Sequence, residues 1–196
     1  MNHMMIDIET CGQRANAPVL SIGAVMFDPS TGKLGGEFYV AISPVDAFRY
    51  GVPDGDTFKW WMDQADPARK AATAGQKTLA EGLSELTKFG RSDWKDMQVW
   101  GNGPSFDMTI LEYAYQKAMG QLAPWKFWNV RCCRTIALLA GRRPPKIETS
   151  AGVYHNALDD ARHQAMWVSS MWREIKGRKA APVIEAQIQT GTLLDL

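Results

Sequence analysis

The stretch MMIDIET, residues 4–10, decides the fold. Its apolar side chains predict a buried β-strand, and it carries two carboxylates. Alternate side chains of a strand share a face, so Asp7 and Glu9 point one way and Met4, Ile6 and Ile8 point the other. Two like charges on a buried strand are costly unless a partner neutralises them, and hard cations such as Mg²⁺ bind carboxylate oxygens. The pair therefore indicates either a metal site or two surface acids on a half-exposed strand.

The composition of the chain is that of an ordinary globular protein. Its 196 residues are 45% hydrophobic and 22% charged, which is enough for one domain with a sizeable core. The net charge of +1 provides no global basic field, so any contact with nucleic acid must come from a local patch. We expect residues 1–176 to form the domain and residues 177–196 to form a flexible or partner-docking tail.

The cysteine content favours a reducing, intracellular environment. The three cysteines are an odd number, and Cys132 and Cys133 are adjacent, which argues against a disulfide framework. The N-terminus has no apolar signal region, and no apolar run approaches transmembrane length. We therefore expect a cytoplasmic protein without a membrane partner.

The order of strands and helices predicts the fold class. Strands at residues 4–10, 19–27 and 37–42 are joined by short turns and form an antiparallel meander, and residues 43–57 are expected to be irregular. Further strands are expected at residues 97–100 and 127–130. Helices are expected from about residue 57, after Asp66-Pro67, and over residues 79–89, 105–119, 135–140 and 157–176. The pattern predicts an α/β fold, a mixed five-stranded sheet flanked by helices.

A third carboxylate lies at the start of an apolar helix face. Asp107 is in the first turn of the helix that follows the strand at residues 97–100 and a glycine-rich turn. It shares a face with Leu111, Ala114 and Ala118, which are at helical spacing. The helix dipole alone favours an aspartate at a helix N-terminus. However, Asp107 follows a strand and a turn at the edge of the sheet, and this position favours a functional site.

The last helix supplies a fourth carboxylate. Asp160 lies about 100° around the helix from Ala161, on the border of the buried face, whereas Asp159 points toward solvent. Asp160 is therefore the acid that we expect to reach an interior site. His155 precedes it by five positions, in a segment after a basic loop. A loop histidine is usually a surface residue, but an imidazole with a pKa near 6.5 also suits a general base.

These motifs together resemble those of the DEDDh family of metal-dependent 3′–5′ exonucleases, which have a ribonuclease-H-like fold. Residues 7–10 match its first motif, Asp-x-Glu on the first strand. Residues 101–107 match the second motif, an aspartate that begins a helix after a strand and a turn. Residues 155–161 match the third, His-x₄-Asp. The chain is most similar to a bacterial and bacteriophage branch that includes exoribonucleases and DNA exonucleases.

The resemblance implies roles for five side chains. Asp7, Glu9, Asp107 and Asp160 would bind two Mg²⁺ or Mn²⁺ ions, and His155 would take a proton from the attacking water. The reaction would release nucleoside 5′-monophosphates from the 3′ end of a single strand. Many relatives carry an aspartate before the helix at residues 135–140, whereas this chain has an Arg-Cys-Cys-Arg sequence there. That aspartate is not a metal ligand, but substrate or subunit contacts are expected to differ.

The resemblance also implies a socket for the terminal nucleotide, formed after Glu9 and along the second strand. One of the two adjacent tryptophans near residue 60 would stack a base, and we expect the other to lie inside the protein. The residues assigned to the socket are Thr10, Ala24, Met26, Trp60, Trp61, Asn102 and Phe106. Arg142, Arg143 and Lys146, in a basic loop, are further candidates for phosphate contacts.

The resemblance favours RNA as the polymer and leaves a 3′–5′ DNA exonuclease as the alternative, because the motifs do not report a contact to the 2′-hydroxyl. A non-catalytic nucleic-acid-binding module would be expected to lack one of the acids or the histidine, and none is missing. A metal-dependent phosphohydrolase acting on nucleotides would be distinguished by its products, and a purely structural role would leave the five polar residues unexplained. Dimers are frequent among small family members, so we expect a homodimer.

Overall fold

A mixed five-stranded sheet forms the centre of the computed structural model, which describes residues 1–91, 93–143 and 156–177. The strand order is β3-β2-β1-β4-β5. The strands are β1 (His3–Thr10), β2 (Val19–Asp28), β3 (Lys33–Ala41), β4 (Gln98–Gly101) and β5 (Val130–Cys132). The first three pair antiparallel, and β4 and β5 add to β1 in parallel. The predicted fold class is therefore confirmed.

Helices cover both faces of the sheet. They are α1 (Pro44–Tyr50), α2 (Gly55–Met62), α3 (Asp66–Thr73), α4 (Leu79–Phe89), α5 (Pro104–Met119), α6 (Cys133–Ala140) and α7 (Ala157–Gly177). One apolar core joins the sheet to α1, α4 and α5, and a second core joins it to α6 and α7. The result is a three-layer arrangement in which each sheet face is buried by its own set of helices.

The side-chain alternation of β1 assigns its residues to these two cores. Ile6 and Ile8 lie in the core with α4 and α5, whereas Met5 lies in the core with α6 and α7. Successive side chains point to opposite faces, so Asp7 and Glu9 lie on the face that α7 covers. This is the division of polar and apolar side chains that the sequence predicts.

Gly23 allows α7 to begin directly against the sheet. It pairs with Asp7 across β1 and β2. A Cβ atom at this position would lie 2.2 Å from the backbone carbon of Ala157 and 2.2 Å from the backbone nitrogen of Leu158. The absence of a side chain therefore lets the first turn of α7, which carries Asp160, approach the carboxylates of β1.

Two of the predicted elements need correction, and both lie after the three-stranded meander. Residues 43–57 are not all irregular, because α1 occupies Pro44–Tyr50 with a proline in its first turn, a position that suits proline. The expected strand at residues 127–130 is instead a single 3₁₀ turn over Phe127–Asn129, and β5 follows it. The apolar run suggested a strand, yet Phe127 and Trp128 are exposed.

Some predictions fall on residues that the structure does not describe. They include Lys146 and His155 in the segment 144–155 and all of the expected tail beyond Gly177. Within the described ranges, no helix is both long enough and apolar enough to cross a membrane.

Candidate active site

Four carboxylates line one cavity of about 500 Å³ at the carboxyl edge of the sheet. Asp7 and Glu9 come from β1, Asp107 from the first turn of α5, and Asp160 from the first turn of α7. Carboxylate oxygens of Asp7, Glu9 and Asp160 lie within 4.8 Å of one another. Asp107 lies in the wall of the same cavity. The structure therefore brings together all four acids that the sequence singled out.

Two glycines position Asp107. Gly101 ends β4, and a Cβ atom there would lie 3.1 Å from Oδ2 of Asp107, so a side chain would crowd the carboxylate. Gly103 has a φ of 106°, a left-handed conformation that glycine adopts without strain, and it turns the chain into α5. The Asp107 side chain is only 4% exposed. The glycine-rich turn therefore sets the carboxylate at the end of the strand.

Burial is the largest cause of a raised pKa at each of the four carboxyls. It raises the pKa of Glu9 to about 8 and the pKa values of Asp107 and Asp160 to about 7. The pKa of Asp7 is raised well above its ordinary value, and the charges of Asp107, Glu9 and Asp160 add to the effect of burial. Without a cation, this cluster binds protons near neutral pH.

The donor set fits divalent cations. Oδ1 of Asp160 is buried and has no hydrogen-bond partner among the described residues. A buried acceptor without a partner is costly, and the surrounding groups are carboxylates that repel it. Oxygen-only donor sets of this kind suit Mg²⁺ and Mn²⁺. A bound cation would satisfy the free oxygen and neutralise the cluster.

The raised pKa values predict that the metal-free protein loses stability as the pH rises. The folded carboxyls bind protons more tightly than the unfolded ones. The free energy of unfolding therefore falls as the pH rises from about 4 to about 8. The melting temperature in EDTA should fall across this range, and added Mn²⁺ should flatten the profile. Thermal denaturation at a series of pH values measures both curves. A melting temperature in EDTA that rises toward pH 8 would contradict the prediction.

Gln164 is a site residue that the sequence analysis missed. It lies one helical turn after Asp160 on α7, and its Nε2 donates a hydrogen bond of 2.8 Å to Oδ1 of Asp7. The residue is 5% exposed, so this contact fixes the direction of the Asp7 carboxylate. The sequence did contain a signal for this residue. Position 164 is three residues after Ala161 and seven after Ala157, a spacing that places it on the buried face of the helix. Arg134, at the start of α6, also lines the cavity and was missed as a site residue.

A second cavity of about 380 Å³ adjoins the first. The two share Ile8, Glu9 and Phe106 in their walls. Thr10 and Trp60 line the second cavity, whereas Asn102 lines the first. The structure therefore places these candidate substrate residues around one continuous depression beside the carboxylates.

The two adjacent tryptophans of α2 have different environments. Trp60 is 40% exposed and lines the second cavity. Trp61 is 4% exposed, and its Nε1 donates a hydrogen bond of 2.8 Å to the carbonyl oxygen of Thr10. Trp61 therefore supports the end of β1 from inside, and its ring is not available to stack on a base.

The structure places Ala24 and Met26 away from the cavity. Ala24 pairs with Ile6, and Met26 pairs with Met4, across β1 and β2. Their side chains therefore lie on the face that packs against α4 and α5, opposite the carboxylates. The sequence identified the right strand, but register decides which face each residue occupies. Gly23, one position before Ala24, lies on the α7 side.

Solved structures of exonuclease I have the same fold. The E. coli enzyme in complex with a dT13 oligonucleotide matches with a TM-score of 0.59 and 16% identity, over 90% of this chain and 41% of that chain. The zinc ion-bound form of the E. coli complex with single-stranded DNA matches with a TM-score of 0.58 and 16% identity, over 89% and 40%. An apo exonuclease I structure matches with a TM-score of 0.61 and 17% identity, over 90% of this chain and 42% of that chain. This chain spans about two-fifths of those proteins.

The fold is that of exonuclease I, and the four carboxylates lie together as the resemblance to DEDD-type 3′–5′ exonucleases implies. No curated protein matches the chain in sequence. A family model does match, over residues 2–172, and the chain belongs to this family, the 3′-5′ exoribonuclease Rv2179c-like domain. The resemblance that the motifs suggested is thereby confirmed at the level of an exonuclease family.

Proposed function

We propose that this protein is a two-metal-ion exonuclease that releases nucleoside 5′-monophosphates from the 3′ end of single-stranded nucleic acid, preferably RNA. The observation that carries the proposal is the cluster of four carboxylates, in which Oδ1 of Asp160 has no partner among the described residues. The cluster opens into a second cavity where the exposed ring of Trp60 can meet a base. Metal ligands thus adjoin a space for one end of a polymer.

Asp7, Glu9, Asp107 and Asp160 would hold two Mg²⁺ or Mn²⁺ ions. Bound ions would lower the pKa of an attacking water and stabilise the charge on the leaving 3′ oxygen. Gln164 holds the Asp7 carboxylate in one orientation through its hydrogen bond. Burial of the ligands limits their hydration, which strengthens their electrostatic interaction with charges in the site. The protein therefore supplies a rigid and poorly hydrated set of oxygens.

His155 would accept the proton of the attacking water on its imidazole. It directly precedes Asn156, whose Oδ1 accepts hydrogen bonds from the backbone N–H groups of Leu158 and Asp159 at the start of α7. An oxygen–phosphorus bond then forms while the bond from phosphorus to the 3′ oxygen breaks. The products are a nucleoside 5′-monophosphate and a shortened strand with a 3′ hydroxyl. The base acts in its neutral form, which favours activity on the alkaline side of a pKa near 6.5.

The terminal nucleoside is assigned to the second cavity because it adjoins the carboxylates. Trp60 presents its ring there, and stacking of a base on an aromatic side chain contributes roughly 1–3 kcal/mol. Phe106 lies in the shared wall, where it can separate the last base from the one before it. These contacts would accept any base, which is suited to stepwise removal of nucleotides.

The choice of polymer rests on two observations that point in different directions. The family description names an exoribonuclease, which supports RNA. The E. coli exonuclease I neighbours were solved with single-stranded DNA, which supports the alternative, a 3′–5′ DNA exonuclease. A non-catalytic binding module is disfavoured, because the structure brings all four acids into one cavity.

Matched single-stranded RNA and DNA, labelled at the 5′ end, test the proposal. With Mg²⁺ or Mn²⁺, both should shorten from the 3′ end, and RNA should shorten faster. Asp160→Asn should reduce release by about 10³-fold or more, because it removes a ligand charge. His155→Ala should reduce it by about 10²- to 10⁴-fold. Trp60→Ala should raise KM by about 10-fold.

The adjacent acid provides the control for this experiment. Asp159 pairs with Arg162 outside the cavity, so Asp159→Asn should keep nearly full activity. Undiminished shortening by both Asp160→Asn and His155→Ala would refute the proposed function. Faster shortening of DNA than of RNA would select the alternative polymer.

Further properties belong to the same proposal. All three cysteines are free, which supports a reducing, cytoplasmic location. The boundary at residue 176 and the homodimer remain predictions from the sequence. Limited proteolysis measures the boundary, and light scattering in solution measures the oligomeric state.

A further inference from the structure

Among the described residues, Arg134 is the one cation whose side chain lines the carboxylate cavity. It is the second residue of α6, which directly follows β5. The pairing of Gly101 with Cys132 brings the start of α6 beside the turn that leads into α5. Arg134 therefore reaches the cavity from the side of Asn102 and Gly103, which is the part that the second cavity does not share.

The guanidinium of Arg134 is held in place but accessible. Its Nε donates a hydrogen bond of 3.4 Å to Oδ1 of Asn102, so this contact goes to a neutral amide and not to a carboxylate. A Cβ atom on Gly103 would lie 3.5 Å from Cζ of Arg134, which places the guanidinium against the turn. The residue is exposed. Its other N–H groups can therefore turn toward an incoming anion.

An arginine at this point suits a phosphodiester. The guanidinium is always charged and its planar fork matches two oxygens of a phosphate. Each linkage of a nucleic acid brings one negative charge to a cavity that already contains four carboxylates. A cation beside them reduces the repulsion between the cavity and the strand.

We propose that Arg134 binds the phosphodiester immediately 5′ of the one that is cleaved. The inference rests on the proposed function, which places the terminal nucleoside beside Trp60 and the cleaved phosphate at the carboxylates. The strand then continues out of the cavity on the side that the nucleoside does not occupy, and the next phosphate meets Arg134. Arg134 is thus a substrate-binding residue that favours strands with at least two linkages over a dinucleotide.

The test measures single-turnover release of the first nucleotide from three oligonucleotides. One has only phosphodiesters, one has a neutral methylphosphonate directly 5′ of the cleaved linkage, and one has it two linkages further away. Arg134→Met, which keeps the length of the side chain without its charge, should lower kcat/KM by about 10- to 100-fold on the first oligonucleotide. The adjacent methylphosphonate should slow the wild type to a similar extent and should not slow Arg134→Met further. The distant methylphosphonate should slow neither.

Two further measurements complete the experiment: the salt dependence of binding, and the release of nucleotide from a dinucleotide, which has no second linkage. Loss of one phosphate contact should reduce the slope of log affinity against log salt by about 0.7 in Arg134→Met, and Arg134→Lys should restore it. Arg173→Met is the matched control, because this exposed arginine lies thirteen residues, about 20 Å, along α7 from Asp160.

Two results would overturn the inference. Additive losses from Arg134→Met and the adjacent methylphosphonate would show that the two do not interact. An equal loss on a dinucleotide, which has no second linkage, would place Arg134 on the cleaved phosphate instead. If the wild type releases nothing from the unmodified oligonucleotide, the proposed function itself fails. This outcome differs from the two results above, in which the wild type is active.

Discussion

Asp7→Asn should abolish nuclease activity and raise the stability of the metal-free protein. The substitution removes a ligand charge, and we expect release of nucleotides to fall by about 10³-fold or more. The pKa of Asp7 is raised in the folded state, so its ionised form opposes folding at neutral pH. An asparagine keeps an oxygen that can accept the hydrogen bond from Gln164. Loss of the charge should therefore stabilise the fold and raise the melting temperature in EDTA, which thermal denaturation measures.

An aspartate at the other end of the sheet provides the control for Asp7→Asn. Hydrogen bonds from Ser30 and Thr31 lower the pKa of Asp28 to about 2, so its charge is favoured in the folded state. Asp28→Asn should therefore leave activity intact and should not raise the melting temperature in EDTA. If Asp7→Asn melts below the wild type in EDTA, the repulsion inferred from the carboxylate cluster is not a destabilising force.

Gly23→Ala should separate α7 from the sheet and remove most activity. A single added methyl group would lie 2.2 Å from backbone atoms of Ala157 and Leu158, so the helix start has to move. Overpacking of this kind costs about 1–3 kcal/mol, and backbone contacts allow little adjustment. Asp160 moves with the helix, and a displacement of about 1 Å in such a site lowers the rate by about 10²-fold. Thermal denaturation and single-turnover release measure the two effects.

Gly36→Ala separates this local effect from the general cost of replacing a strand glycine. Gly36 lies on β3, and a Cβ atom there would meet only the side chain of Phe89, at 3.4 Å, an ordinary contact. It should retain wild-type activity and melt near the wild-type temperature. Wild-type behaviour of Gly23→Ala in both measurements would show that the α7 start can shift without consequence.

Local patterns in the sequence predicted the fold class and, together with the family resemblance, the four carboxylates. Period-two alternation put Asp7 and Glu9 on one face of β1, and helical spacing put Asp107 above an apolar stripe. The border position of Asp160 on the last helix likewise matched its place in the cavity. Each of these inferences depends only on residues within one element, where the spacing of side chains is set by backbone geometry.

Features that depend on contacts between elements were not predictable in the same way. Ala24 and Met26 were assigned to the site, but the pairing register of β1 with β2 turns both away from it. Gln164 acts through Asp7, a residue from the other end of the chain. Trp60 and Trp61 are adjacent in sequence, and only the packing of α2 against Thr10 decides which of them is buried.

The order of the elements along the chain has a consequence for synthesis. β1 carries two carboxylates near the N-terminus, yet His3 of this strand pairs with Gln98 of β4, and Asp160 arrives only with α7. Contacts between residues so far apart in sequence form late and slowly. A nascent or truncated chain that lacks α7 therefore has three of the four acids and no complete site. A nuclease of the proposed kind would become active only when the whole domain has been made and its final helix has docked.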